Sequence, residues 1–262
     1  MKAVILCGGE CSRMLGGDEP LPKPMIPIGG KPILWHIMKV YAAQGVKDFI
    51  LCLGAKGWLV REFFLNYLPM TVDFTIRLGG HNRITFHGDV AESDWTVTLV
   101  DTGEKTCTGG RLRQVRKYLD GESHFHLTYG DFITDVDVPQ LEDRAKQLDL
   151  VVTLSGVYRS GRFGELACDG GRITSFMEKP PQSGSGRING GFMVVDNRRI
   201  WEYLPDTTDL FLDQDVLPRL AEEKQLGQYE HDGYWECMDT LREYQELNAL
   251  WDSGKAPWKN FK

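Results

Sequence analysis

The feature that most limits what this chain can fold into is its first apolar run, Ala3-Val4-Ile5-Leu6-Cys7, stopped by Gly8-Gly9. Five apolar residues with no polar alternation suit a strand covered on both faces, as in the middle of a parallel sheet. Residues 32–44 follow with Ile33, Leu34, Ile37, Met38 and Tyr41 at helical spacing, and Gly45 closes the segment. A second buried strand over 49–53 and a second helix over 59–67 complete a β-α-β-α order, which predicts parallel strands with helices on the sheet faces.

Shorter strands are expected over 72–76, 84–86 and 96–100, hairpin-linked, making the sheet mixed. A helix over 111–119 leads into a strand over 124–129, and a helix over 139–148 precedes a strand over 150–154. Segments 163–167 and 172–176, joined at Gly170-Gly171, read as a hairpin. A strand over 192–195 and a closing helix over 240–251 finish the pattern. The Gly/Ser-rich stretch 182–187 is short enough for a loop. The expectation is one α/β domain over 1–262, Rossmann-like, with a mixed, mainly parallel sheet.

Acidic residues outnumber basic ones, 37 to 30, which argues against general nucleic-acid binding but leaves room for a few cations around a phosphorylated substrate. No apolar run is long enough to span a bilayer, and the first residues lack the pattern of a secretory leader. The six cysteines are scattered without a C-x-x-C pair, which predicts free thiols in a reducing cytoplasm and neither disulfides nor zinc.

Open α/β sheets bind ligands at the carboxyl ends of their strands. The first such end carries Gly8-Gly9-Glu10-Cys11-Ser12-Arg13. Glycines let backbone approach phosphate oxygens, and an arginine fork can grip them. The loop is neither G-x-G-x-x-G nor a Walker A motif, and alone it fits many folds. Pro22-Lys23-Pro24 stiffens a lysine, either as a fixed cation for a triphosphate or as a rigid surface turn. Asp131 follows a central strand and Asp239 precedes the last helix. They are candidate ligands for Mg2+, or a turn residue and a helix N-cap respectively. Glu178-Lys179-Pro180 and Asn189-Gly190-Gly191 offer a cation for a monophosphate beside groups that bond hydroxyls.

Taken in order, these segments resemble the sugar-phosphate nucleotidyltransferases. That family shares a Gly-rich loop ending in Arg, then Pro-Lys-Pro-Met, Gly-Asp, Glu-Lys-Pro, Asn-Gly-Gly and a late Asp. Longer stretches narrow the likeness to its glucose-1-phosphate cytidylyltransferase branch: Gly30-Lys31-Pro32-Ile33-Leu34-Trp35-His36, Val97-Thr98-Leu99-Val100-Asp101-Thr102-Gly103, Thr108-Gly109-Gly110-Arg111-Leu112 and Arg162-Phe163-Gly164-Glu165-Leu166. The resemblance implies a nucleotide-diphospho-sugar transferase fold, and CMP transfer from CTP to glucose 1-phosphate, giving CDP-glucose and pyrophosphate. It implies a nucleotide site of Leu6, Gly8, Gly9, Glu10, Cys11, Ser12, Arg13, Lys23, Thr108, Gly109, Arg111 and Gly130, with Arg13 and Lys23 catalytic. It places the sugar phosphate at Glu178, Lys179, Asn189 and Gly190, puts Mg2+ on Asp131 and Asp239, and suggests a homo-oligomer.

The chemistry agrees with this set. A sugar phosphate oxygen is already anionic, so alignment and charge neutralisation suffice without a covalent intermediate, and the six histidines need no catalytic role. Two departures stand out. Cys11 and Glu10 alter the usual loop, and Phe132 stands where such cytidylyltransferases commonly have glycine. They keep open a different sugar or polyol phosphate as acceptor. A non-catalytic nucleotide or sugar-phosphate sensor is a further reading; a Rossmann dehydrogenase lacks its glycine motif.

Overall fold

A computed structural model describes residues 1–9, 11, 12, 14, 16, 20–79, 83–158, 165–177 and 186–261. The main sheet has nine strands: β1 (Ala3–Cys7), β2 (Asp48–Leu53), β3 (Thr96–Asp101), β4 (His124–Tyr129), β5 (Val152–Val157), β6 (Glu165–Asp169), β7 (Arg172–Met177), β8 (Arg187–Asp196) and β9 (Leu226–His231). Their order is β5-β9-β7-β6-β8-β4-β1-β2-β3. Strands β3, β2, β1 and β4 run parallel, so their carboxyl ends share one edge. Strand β8 is antiparallel to β4. It also pairs with β5 and β6, so that the far half of the sheet curls back on itself.

Among the described residues six α-helices accompany the sheet: α1 (Ile33–Ala42), α2 (Gly57–Leu65), α3 (Thr108–Gln114), α4 (Val138–Leu148), α5 (Leu217–Glu222) and α6 (Leu241–Asp252). The side chains of β1 explain the opening run. Ala3, Ile5 and Cys7 pack with Ile33, Ile37 and Tyr41 of α1. Val4 and Leu6 face the opposite cluster with Leu112, Leu217 and Leu220. Every residue of β1 is buried, so no position tolerates a polar side chain.

Several boundaries differ from the expected ones for physical reasons. Helix α3 starts at Thr108 rather than 111. Gly109 and Gly110 are poor helix formers, yet close packing requires them. A Cβ on Gly109 would lie 2.9 Å from the Leu210 side chain, and one on Gly110 would lie 2.8 Å from the Thr207 carbonyl oxygen. Strand β8 starts at Arg187, not 192, and absorbs Asn189-Gly190-Gly191. A Cβ on Gly190 would lie 2.7 Å from Ser155 Oγ, so these glycines mark strand contact rather than a loop. Strand β5 begins at Val152 instead of 150. Of the expected 163–167 strand, 163 and 164 lie outside the described residues.

The expected hairpin at 72–86 does not join the main sheet. Asp73–Arg77 and Arg83–His87 form a two-stranded ribbon of their own, with Phe74 opposite Phe86 and Ile76 opposite Ile84. Among the described residues no helix is long and apolar enough to cross a membrane.

Candidate active site

The site grows from the adjoining ends of β1 and β4. Gly130 donates its N–H to the Leu6 carbonyl at 3.1 Å. A Cβ there would lie 2.7 Å from Pro24 Cγ and 3.1 Å from that same carbonyl, so only glycine lets the two strand ends and the proline close up. Asp131 is the next residue. Pro24 is buried in a 3-10 turn over Lys23–Met25, which fixes the root of Lys23. Beyond Asp131, Phe132–Thr134 pairs with Trp235–Cys237, and Met238 donates its N–H to the Asp131 carbonyl at 3.0 Å. That ladder brings Asp239 beside Asp131 although 108 residues separate them in sequence.

Lys23 Nζ donates to Asp131 Oδ2 at 3.4 Å and also to Asp239 Oδ1. Asp239 is not the N-cap of α6. Thr240 caps the helix in a box with Glu243, whose carboxylate accepts the Asp239 and Thr240 N–H groups at 2.8 and 2.9 Å. Burial pushes the Asp131 carboxyl above the usual range, with Lys23 pulling against it and the Asp239 charge adding to the rise. Burial alone lowers the Lys23 ammonium, but its two carboxylates outweigh this and hold it above its ordinary value. Two carboxylates closing on one cation make a hard oxygen donor set of the kind that Mg2+ takes. The ammonium between them demonstrates that a positive charge fits there.

A cavity of about 270 Å3 opens over Lys23 and Asp131, lined also by Leu6, Gly8, Gly9, Thr108, Tyr129 and Gly130. Beside it lies a wider cavity of about 960 Å3, which shares Gly8, Gly9 and Thr108 and adds Cys11, Glu104, Arg111 and Phe211. The expected nucleotide residues Leu6, Gly8, Gly9, Cys11, Lys23, Thr108, Arg111 and Gly130 therefore line one or other of two adjoining cavities, the smaller of which Asp131 also lines. Ser12 lies in a short ladder with Leu21, and its hydroxyl accepts the Met14 N–H at 3.2 Å. Buried Gly109 donates its N–H to Leu210 at 2.8 Å and so has a packing role. Glu10, Arg13, Glu178 and Lys179 lie outside the described residues.

Arg111 is 2% exposed, and its guanidinium lies behind Gly8, where a Cβ would lie 2.0 Å from the Arg111 Cζ. Nη1 donates to the Leu53 and Gly103 carbonyls and to Thr102 Oγ1 at 2.8–2.9 Å, and Nη2 donates to the Glu104 carbonyl at 3.1 Å. Arg111 thus fastens the β2 end to the loop that frames the wider cavity. Asn189 is 8% exposed and points its amide away from solvent. Its Nδ2 donates to Asp213 Oδ1 at 3.1 Å, and its Oδ1 accepts the Gly191 N–H at 2.9 Å. The Gly190 carbonyl accepts the Trp235 indole N–H at 2.7 Å. The Phe132 ring packs between Tyr129 and Trp235, with centroids 5.2 and 5.1 Å away, over the bare Cα of Gly191.

Tyr129 and Asp213 escaped sequence reasoning. Tyr129 looked like the end of an apolar strand. Asp213 lies in a π-helical turn, Leu212–Val216, with neither a motif nor apolar periodicity to mark it. Glu236, Cys237 and Glu243 also lie within 4.8 Å of one another. Their carboxylates accept backbone N–H groups, and so brace the turn that carries Asp239.

The chain matches the nucleotidyl transferase family model over residues 2–253. It is 44% identical over 261 residues to a glucose-1-phosphate cytidylyltransferase of Salmonella typhi, with 100% of each chain covered. It is 37% identical to a probable glucose-1-phosphate cytidylyltransferase of Bacillus subtilis, with 99% of each covered. Among solved structures, HddC from Yersinia pseudotuberculosis superposes with a TM-score of 0.74 at 24% identity, covering 95% of this chain and 99% of that one, and bears out the fold. A chain that matches this family model almost from end to end, and a cytidylyltransferase at 44% identity over its whole length, belongs to the nucleotidyl transferase family.

Proposed function

We propose that this enzyme transfers CMP from CTP to glucose 1-phosphate, releasing pyrophosphate and CDP-glucose. The observation that carries the reading is the meeting of Asp131 and Asp239 on Lys23 at the strand ends, where Lys23 and Asp131 line a cavity. The full-length likeness to glucose-1-phosphate cytidylyltransferases names the substrates. An oxygen of the sugar phosphate attacks the α-phosphorus, and the bond to the bridging pyrophosphate oxygen breaks on the opposite side. Asp131 and Asp239 would hold Mg2+, which would supply Lewis-acid neutralisation of the phosphate oxygens.

With its carboxylate partners so engaged, Lys23 donates to the phosphoryl oxygens as their charge grows. Gly8 and Gly9 let backbone approach the phosphates. Arg13 assists the leaving pyrophosphate, and Glu178 and Lys179 place the sugar phosphate, with Asn189 supporting that side of the site. No side chain forms a covalent bond to the nucleotide. The unit of function is residues 1–262, working in the cytoplasm.

Pyrophosphate release is the test, measured with all four common triphosphates against a panel of sugar and polyol phosphates. CTP with glucose 1-phosphate is expected to give the highest kcat/KM. A better acceptor with CTP would instead support a reshaped pocket, for which the Phe132 ring over Gly191 is the supporting observation.

Copies of the chain assemble through the ribbon. Phe74, Ile76 and Ile84 on it are each at least 42% exposed, beside exposed Leu65, Met70 and Leu78. Exposed apolar patches of this kind mark contact surfaces. The Asp73–Arg77 strand also complements an antiparallel copy of itself, Asp73 meeting Arg77 at both ends.

A further inference from the structure

Asp213 is tied to the site from three directions. The Tyr129 hydroxyl, whose ring lines the cavity beside Asp131, donates to it and lies 2.7 and 2.8 Å from its two oxygens. Asn189 donates to Oδ1 at 3.1 Å. The preceding residue, Leu212, donates its N–H to Oγ1 of Thr108, which lines both cavities, at 2.8 Å. The turn that carries Asp213 is π-helical, an irregularity that recurs at functional sites because it re-aims one side chain.

The donors around Asp213 are a phenol and an amide, and no basic side chain among the described residues pairs with it. A carboxylate in such surroundings repels phosphate and accepts from neutral hydroxyls. Asn189, by contrast, spends its Oδ1 on Gly191 and one of its amide protons on Asp213. Its geometry is that of a support, and the group it supports keeps unshared lone pairs. Asp213 is also only partly buried, whereas Asn189 is 8% exposed.

We infer that Asp213, held by Tyr129 and Asn189, accepts a hydrogen bond from a ring hydroxyl of the acceptor sugar and so helps to select it. The inference rests on the proposed transfer to a sugar 1-phosphate and adds the residue that reads the hydroxyl. Tyr129 and Asn189 are then positioning residues, which act through the carboxylate.

The test compares the wild type with Asp213→Asn, using glucose 1-phosphate and its 2-, 3-, 4- and 6-deoxy analogues. In the wild type one analogue should lose about 10-fold or more in kcat/KM, the worth of a hydrogen bond to a charged group. In Asp213→Asn that gap should narrow to within about 3-fold and the KM for glucose 1-phosphate should rise, with the KM for CTP staying within about 2-fold. The same gaps in both proteins, or a raised KM for CTP with the sugar kinetics unchanged, would overturn the assignment, the latter pointing to ribose. If Asp213→Asn does not fold, Tyr129→Phe keeps the carboxylate but frees its orientation, and must narrow the same gap. A wild type that turns over no sugar 1-phosphate defeats the functional reading itself, whereas turnover without narrowing defeats Asp213 alone.

Discussion

At the scale of single residues, the site depends on charges held by stiff backbone. Lys23 stands in a proline-bounded turn and faces two carboxylates that arrive from strands far apart in sequence. Lys23→Met should cut kcat by about 100- to 1,000-fold, the usual loss when one donor to a developing phosphate charge is removed. Circular dichroism should show the fold unchanged. Arg111 works differently, since its fork is spent on carbonyls at the back of the wider cavity. Arg111→Lys keeps the charge but cannot reach all of them, and should cost about 2–3 kcal/mol in urea unfolding. The KM for CTP should rise more than the KM for the sugar phosphate, because the loop that Arg111 fastens borders the nucleotide side.

At the scale of elements, legibility followed apolar periodicity. Strands β1, β2 and β4 and helices α1 and α6 were readable because burial on one or both faces leaves an unbroken signal. Strand β9, Leu-Gly-Gln-Tyr-Glu-His, was not, since its pairing with β5 decides its conformation and its side chains carry no alternation. The Asn189-Gly190-Gly191 motif, expected at a strand edge, lies inside β8. Glycine suggests a turn, yet here it admits Ser155 and Phe132 to within contact of strand backbone. Asp131, Asp239 and Lys23 were found by motif, while their convergence needed the Phe132–Thr134 ladder with Trp235–Cys237, which no local signal announced.

Helix α1 carries a pH-dependent anchor. His36 is fully buried, its Nε2 bonds the Ile28 carbonyl at 2.9 Å, and its Nδ1 accepts the Trp258 indole N–H at 3.4 Å. Burial, with Lys259 adding to it, outweighs the backbone bonds and lowers its pKa to about 4. The unfolded chain takes up a proton near pH 6.5 that the folded chain refuses until about pH 4. Stability contributed by neutral His36 is therefore complete above pH 6.5 and is lost on acidification through that window, by up to about 3 kcal/mol. Urea midpoints at pH 5 and pH 7.5 should show that slope in the wild type and a flatter one in His36→Leu.

At the scale of the whole molecule, two halves of one sheet meet at the site. The parallel strands β1 to β4 present glycine-rich ends to the two cavities. The curled half, through β8 and its attached ladder, brings Asn189, Trp235 and Asp239 to the other side. The ribbon lies outside both halves and is the proposed contact between copies of the chain. Asp73→Arg sets like charges opposite each other in the self-paired strand, so sedimentation velocity should show a shift toward monomer. An unchanged oligomer would place the contact elsewhere.

In the proposed reaction, Asp131 and Asp239 make this a metal-assisted cytidylyl transfer centre. Its most direct test is pyrophosphate release from CTP and glucose 1-phosphate across a Mg2+ titration, in the wild type and in Asp131→Ala and Asp239→Ala. The wild type should show saturable Mg2+ dependence, and either variant should lose at least about 100-fold. Turnover that ignores Mg2+, or that survives Asp131→Ala, would contradict it.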